Sequence, residues 1–589
     1  MFGKILDIQD DYLLLENASH KLDVNYLNFH VIFPENNRSV VGEIVNMNEN
    51  TIKVVLVGEI RDNVFTPNVF RKPNFNSTPR VIYKSELELL LGSQDIDDYN
   101  NLYIGKSVTY DNYNITTDIN SFFSNHFAIL GNTGSGKSCG VARLLQNTFM
   151  QNGDRMPLNA HIVMFDAYGE YNSALSPINN IPNLGYKYYT TNTTEIGKNI
   201  LNLPAYFLEV DDLALLLNAE SAAQLPILEK TLKLVYIFKG QTTTMVNYKN
   251  DIIAEAILEL LSSGRSPSQI RDQVIAILTR YNTRDINLNT PIVQPGYVRT
   301  IRQCLNIDNQ GKMNAVQYLV DYLEKFQKLN LSTINVDKST VYSLDDLYYA
   351  LEFALISEGA FKSEKIYDEY NQLKIRLQQI INSDNVKYFE PGDRRITKGE
   401  YIQGLFNSPQ GKVQIINMNL NYVDDRFAKV LTKIFAKLFF DYTANLTVRA
   451  SYPIHIVLEE AHRYVQNDSD ISVLGYNIFE RITKEGRKYG IILGLITQRP
   501  SELSATALSQ CSNFIVFRMF YPNDLKIVSN ITSNFTTDKI EKIKSLTSGT
   551  AMVFGVSFKL PFVVKFDLPN PMPKSTNLDV KNTWFLQVR

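Results

Sequence analysis

Cysteine is scarce. Cys139, Cys304 and Cys511 are the three in 589 residues, and their wide separation gives neither a disulfide framework nor a zinc pattern. The six histidines show no HExxH or other paired metal spacing; His126 and His161 read as strand-entry residues. No uninterrupted apolar run is long enough to span a bilayer, and the opening MFGKILDIQDD lacks the apolar core of a signal peptide. The expectation is a cytoplasmic protein with no membrane attachment. Excess charge is missing too: 59 Lys and Arg face 61 Asp and Glu, for a net charge of −2. That argues against a surface coated with nucleic-acid-binding charge, but leaves room for a ring that confines its basic residues to a channel. Repeats and low-complexity tracts are absent. What remains is an ordinary globular composition, 44% hydrophobic and 20% charged, in a chain long enough for two or three domains.

The most informative stretch is GNTGSGKS, Gly131 to Ser138, which fits G-x-x-x-x-G-K-[ST]. In such a loop Gly131, Asn132, Thr133, Gly134, Ser135 and Gly136 turn backbone N–H groups inward around phosphate oxygens, where bulky side chains would obstruct. Lys137 reaches the terminal phosphates and Ser138 offers a hydroxyl to Mg²⁺, the one metal proposed. A chain of this length shows the pattern by chance roughly two times in a hundred. Context lowers that further, because HFAIL (His126–Leu130) reads as a buried strand and VARLLQNTF (Val141–Phe149) as a helix. That helix aims its positive end at the same anion. Cys139, at its start, has the setting for a lowered pKa or is a small filler of the loop.

Around this loop the chain divides. Residues 1–100 carry short alternating segments, KILDIQ, VGEIVNM, TIKVVLVGEI and RVIYK, with no helical run before Lys84, which suggests a small β-barrel or sandwich, the barrel being the expectation. From 101 the pattern becomes α/β. Strands are expected at His126–Leu130, His161–Phe165, Val413–Met418, Ile454–Leu458, Ile491–Ile496 and Phe514–Phe517, mostly as continuous apolar runs of a parallel sheet covered on both faces. Leu431, Ile434, Phe435 and Leu438 mark a crossover helix. Core parts 101–204 and 396–567 flank an inserted helical bundle, 205–395, and residues 568–589 form a C-terminal arm. Within the insert, Ile270, Val274, Ile277 and Leu278 form one stripe and Leu373, Leu377, Ile380 and Ile381 another. Ser343 and Asp346 make a capping box for the helix carrying Leu347, Leu351 and Leu355. Nothing in the insert points to chemistry.

Chemistry gathers elsewhere. IHIVLEEAHRY (Ile454–Tyr464) is an apolar strand ending in two carboxylates, which suits Glu459 for Mg²⁺ through its water shell and Glu460 for the general base. IILGLITQRPSEL puts Thr497 and Gln498 at another strand end, within range of a terminal phosphate. ERITKEGRKYG carries Arg481, Lys484, Arg487 and Lys488; the lysines fit a solvated face, whereas an arginine can stabilise transition-state charge from a neighbouring subunit. Asp166 and Glu170, in VMFDAYGEY, either tune the metal side of the site or cap a turn.

HFAILGNTGSGKS, FDAYGEY, LEEAHRY and EGRKYGIILGLITQRPSELSATALSQCSNFIVFR together resemble the HerA branch of the HerA/FtsK ATPases, over nearly the whole chain. The resemblance implies a RecA-like P-loop core in a homohexamer, with ATP at subunit interfaces and double-stranded DNA through the pore. By it Lys137 and Ser138 hold phosphate and Mg²⁺, Glu459 and Glu460 are the acidic pair, Gln498 is the sensor, and Arg487 or Arg481 acts in trans. Glu459 stands where many such motors carry Asp. The resemblance also implies an effector, a nuclease or a sirtuin-like NAD hydrolase, docking on the N-terminal barrel in DNA end processing or anti-phage defence. Two other readings share the nucleotide site: an ATP-regulated ring scaffold that controls its effector without moving DNA, and a secretion or conjugation motor. The want of a membrane span and the N-terminal β-rich segment disfavour the last.

Overall fold

In a computed structural model of the chain, residues 2–10, 12–18, 25–150, 155–195, 197–327, 340–359, 364–392, 394–531, 537–574 and 580–584 are described. Apolar strand runs converge in one twelve-stranded sheet. Its order is Asn199–Ile200, Tyr186–Thr190, Ile415–Asn419, Ile162–Asp166, Ile454–Leu458, Ile491–Thr497, Phe127–Leu130, Asn513–Phe517, Thr550–Gly555, Phe558–Lys565, Asn101–Ser107 and Asn114–Asp118. The first eight pair in parallel. From Asn513–Phe517 onward the pairing is antiparallel, an extension that the sequence reading did not foresee. The parallel strands are buried on both faces, which is why FAIL, IVMFD and IILGLIT read as unbroken apolar runs. The crossover helix Asp425–Ala444 buries Leu431, Ile434, Phe435 and Leu438 against the sheet core.

Parallel register fixes where the strands end. Leu130 is level with Thr497 and Val516, and Leu458 lies level with Phe165 and Leu495. The glycine loop, the acidic turn after Leu458, the turn after Asp166 and the Thr497–Gln498 corner therefore share one edge. The Ile491–Thr497 strand lies between the loop strand and the acidic strand, so Thr497 and Gln498 stand between phosphate loop and carboxylates.

The N-terminal segment forms an antiparallel sheet of seven strands. Its path runs Phe2–Ile8, Tyr12–Asn17, Thr51–Arg61, Arg38–Met47, His30–Glu35 and Arg80–Val81, with Val64–Pro67 pairing off Thr51–Arg61. That path is open, a half-barrel rather than the closed barrel expected; among the described residues the first and last strands do not pair. Helices fill most of the stretch after 205, with Pro267–Arg280 burying Ile270, Val274, Ile277 and Leu278. The capping box at Ser343 forms: its N–H donates to Asp346 Oδ2 at 3.0 Å, and Asp346 N–H returns to Ser343 Oγ at 3.3 Å. A small hairpin, Pro291–Gln294 with Tyr297–Thr300, interrupts the helices without a prior sequence signal. After the last strand the chain runs extended: Gln146 Nε2 donates to Pro571 O at 2.9 Å, and Lys574 N–H to Glu170 O at 2.9 Å. No helix among the described residues is long and apolar enough to cross a membrane.

Candidate nucleotide site

The loop from Gly131 leaves its strand with Gly131 N–H on Thr497 O at 3.2 Å and enters the helix Lys137–Phe149. Gly136 is the position where glycine is required: its φ is +94°, and a Cβ there would lie 2.5 Å from Gly549 N. Opposite it, Gly549 N–H donates to Ser135 O at 2.9 Å and Ser548 Oγ to Gly134 O at 3.1 Å, so the far hairpin braces the loop. Asn132 Oδ1 and Ser135 Oγ are buried without hydrogen-bond partners. Beside Gly134 the space is open. A cradle of this shape with unspent polar atoms fits a polyphosphate.

Lys137 and Glu460 meet at the centre. Both are buried, and Nζ lies 3.4 Å from Oε1. Glu460 follows the strand Ile454–Leu458 in the left-handed region, φ 48° and ψ 48°, and its carbonyl accepts from Arg463 N–H at 2.8 Å. A non-glycine residue held there costs on the order of 1–2 kcal/mol, and strain of that kind gathers at working sites. The other oxygen, Oε2, makes no well-formed hydrogen bond, yet lies 3.3 Å from His462 Nδ1. That same Nδ1 is 2.9 Å from Thr497 Oγ1. Next to Thr497, Gln498 Oε1 accepts from Thr133 Oγ1 at 2.5 Å, linking the Thr497–Gln498 corner to the loop.

Glu459 points to the other side. It is buried and accepts from Ala167 N–H at 3.1 Å; burial first, then Asp166, holds its carboxyl well above the usual carboxylate range. Asp166 is fully committed to its turn, accepting from Gly169, Glu170 and Tyr171 N–H at 2.7, 3.1 and 3.0 Å and from Asn417 Nδ2 at 3.1 Å. Of the two roles open to it, capping is the one the contacts describe. Glu170 is different: burial and then Asp166 push its carboxyl up, while a hydrogen bond with the Ser138 hydroxyl pulls the other way. It faces the hydroxyl expected on Mg²⁺. Ser138, Glu459 and Glu170 supply hard oxygen donors that fit Mg²⁺. Among the described residues, no group of three or more His, Cys, Asp or Glu is placed to hold a metal ion by itself.

Burial and Glu170 raise the Cys139 thiol above its ordinary pKa, so the helix terminus does not activate it and Cys139 is a loop filler. Arg481 and Arg487 are not in this chain's own site. Arg481 lies 3.7 Å from Glu485 and over the Phe440 ring at 4.7 Å, and Arg487 lies beside His126, at the opposite edge of the sheet. Both are exposed, as are Lys484 and Lys488 on the same helix, Ile478–Tyr489. His462 went unassigned in the sequence reading; its position two residues after the acidic pair was the available signal.

Residues 102–347 match the family described as helicase HerA, central domain. Over 568 residues the chain is 24% identical to the DNA double-strand break repair helicase HerA of Pyrococcus furiosus, spanning 95% of this chain and 85% of that protein. It is 22% identical over 577 residues to the probable DNA double-strand break repair helicase HerA of Methanocaldococcus jannaschii, spanning 93% and 92%. Among solved structures, the bacterial conjugative coupling protein TrwBdeltaN70 aligns with 84% of this chain and 94% of its own, at 11% identity and a TM-score of 0.41. With a glycine cradle, an acidic turn and a similarity that runs almost end to end, the chain carries a HerA central domain over residues 102–347 and is similar to HerA helicases along most of its length.

Proposed function

We propose that this chain hydrolyses ATP to drive a hexameric ring along double-stranded DNA in the service of a partner effector. The observation that carries the reading is the meeting of Lys137 Nζ and Glu460 Oε1 at 3.4 Å, beneath a glycine loop and beside Gln498. Entering phosphates draw Lys137 away from Glu460, and the freed carboxylate turns to the attacking water as general base. Ser138 and Glu459 are the residues that would hold Mg²⁺, which would supply charge neutralisation at the phosphates; Glu170 orients the Ser138 hydroxyl. Gln498, tied to Thr133, senses the terminal phosphate. Arg487 or Arg481 reaches the site of a neighbouring subunit, which is consistent with their exposure away from their own.

The relatives' description as double-strand break repair helicases supports DNA as the track. Lys484, Arg487 and Lys488 supply exposed positive charge on one helix despite a near-neutral total. The effector, a nuclease or sirtuin-like NAD hydrolase in DNA end processing or anti-phage defence, docks on the N-terminal half-barrel. Large apolar side chains on that sheet's rim support such a surface: Val64, Phe70 and Phe75 are 61%, 95% and 58% exposed. In this reading residues 205–395 are a structural helical bundle, 568–589 an arm, and the protein works in the cytoplasm.

The test is the ATPase rate with and without linear duplex DNA, beside Glu460→Gln. Stimulation by DNA and a loss of roughly 10²–10⁴ in kcat in the variant are expected. Hydrolysis indifferent to DNA sinks the motor and leaves the ATP-regulated scaffold.

A further inference from the structure

His462 touches the base and the sensor strand with a single atom. Nδ1 stands 2.9 Å from Thr497 Oγ1 and 3.3 Å from Glu460 Oε2, and all three residues are buried. One ring nitrogen carries either a proton or a lone pair, so it cannot serve both neighbours in the same way. Hydrogen bonding decides which it is. Thr497 Oγ1 accepts from Arg499 N–H at 3.0 Å, and among the described residues the one partner that can take its buried hydroxyl proton is His462 Nδ1. His462 Nδ1 is the acceptor at 2.9 Å. Nδ1 therefore presents its lone pair, and the ring proton sits on Nε2. A lone pair facing a carboxylate oxygen offers it nothing, and Oε2 of Glu460 is left without a hydrogen bond.

We infer that His462 is a positioning residue that gates the base Glu460 by tautomer: with the Thr497 hydroxyl donated to Nδ1, Oε2 stays uncapped and can turn to a water once phosphates draw Lys137 away, and when that hydroxyl is withdrawn, a proton on Nδ1 caps Oε2. The inference rests on the proposed hydrolysis. The gate moves one proton between the two ring nitrogens and changes no net charge. Burial lowers the His462 pKa despite Glu460 and Glu502, with Arg499 and Lys137 adding to the lowering, so the ring works in its neutral form. Because Thr497 adjoins Gln498, which is tied to Thr133 in the phosphate loop, the hydroxyl's position follows the state of the nucleotide corner. Hydrolysis is thereby coupled to the sensor strand through one imidazole.

The decisive experiment compares ATP turnover in Thr497→Val, His462→Ala and the double variant, with nucleotide affinity measured for each. Thr497→Val removes the hydroxyl at nearly constant volume and lets Nδ1 cap the base. A fall in kcat of roughly 10- to 100-fold, part of what a general base contributes, is expected with ATP affinity unchanged. Adding His462→Ala removes the cap, so the double variant regains activity over Thr497→Val alone. A purely structural role predicts the reverse, a double variant at least as poor as either single. Thr497→Val with wild-type kcat, or a double variant no better than it, overturns the inference. The ¹⁵N signals of histidine-labelled wild-type protein, with His462 assigned by its loss in His462→Asn, give a reading independent of whether the variants fold. A proton on Nε2 is expected, and a proton on Nδ1 in the nucleotide-free protein overturns the gate. Wild-type protein that fails to hydrolyse ATP at all sinks the proposed function instead, which separates the two failures.

Discussion

At the N-terminal edge of the central sheet, His126, His161 and His455 each lend one ring nitrogen to a backbone group. Leu493 N–H donates to His126 Nδ1 at 2.9 Å, His161 Nδ1 donates to Pro453 O at 3.0 Å, and His455 Nε2 to Phe123 O at 2.7 Å. Burial lowers all three pKa values, with His126 and His161 held at about 4. At the C-terminal edge of the same strands, Asn132, Ser135 and Glu460 keep buried polar atoms without hydrogen bonds, Glu460 has a left-handed backbone, and the carboxyls of Glu459 and Glu170 are pushed upward. Apart from His126 Nε2, which is buried without a partner, the histidines of one edge bond to the fold, while the other edge gathers several unpartnered polar atoms. The difference locates the working edge without reference to any relative.

The largest effect expected is one that would blur this contrast. Arg487 belongs to the structural edge of its own chain, yet it is proposed to work on a neighbour. Arg487→Ala should lower ATP turnover by about 10³-fold or more while leaving nucleotide affinity intact. Mixing it with Glu460→Gln subunits should restore part of the rate, because some interfaces then pair an intact base with an intact arginine. No rescue in the mixture would confine Arg487 to its own subunit. A smaller effect sharpens the contrast at the loop. Gly136→Ala puts a Cβ against Gly549 at φ +94°, and about 1–3 kcal/mol of strain should weaken nucleotide binding roughly tenfold or more. Titration of ATP against the variant checks this, and unchanged affinity would show that the loop relaxes freely.

The smallest effect is read from the melting temperature against pH, where the two edges should pull in opposite directions. Buried neutral histidines have folded pKa values below the ordinary 6.5, so between about 6.5 and 4 the unfolded chain binds more protons and stability falls as pH falls. The raised carboxyls do the opposite: above 4.5 the folded state holds protons that the unfolded chain has released, so stability falls as pH rises toward their folded values. His126→Gln should flatten the acid side. Glu459→Gln should stabilise the nucleotide-free protein on the alkaline side by on the order of 1 kcal/mol, the usual exchange of stability for activity at a working site. A melting profile that neither substitution moves would remove the electrostatic part of the contrast.

Legibility followed locality. GNTGSGKS announces itself because the loop's geometry depends on consecutive backbone, and the strand FAIL before it is apolar on both faces. The Asp425–Ala444 helix was visible in its 3.6-residue spacing. What escaped was set by distant partners. YKYYT gave no strand signal, yet Tyr186–Thr190 pairs with Ile415–Asn419, which supplies its register. The hairpin Thr550–Gly555 and Phe558–Lys565 carries two apolar runs around a short turn; its bracing of Gly136 through Gly549 appears only in three dimensions. His462 meets Thr497 across 35 residues of chain, and no local pattern encodes that.

The sheet order also sets a schedule for synthesis. Leu493 N–H bonds to His126 across 367 residues, and the loop strand Phe127–Leu130 is flanked by Leu493's own strand and by Asn513–Phe517, both far along the chain. At about 5–20 residues per second, the ribosome delivers those flanking strands roughly 20–70 s after the glycine loop has emerged. Until then the loop's own strand has no neighbour to pair with and Gly136 has no Gly549 to brace it. A nascent chain thus carries the glycine loop without a formed pocket until the residues through Gly549 have been made.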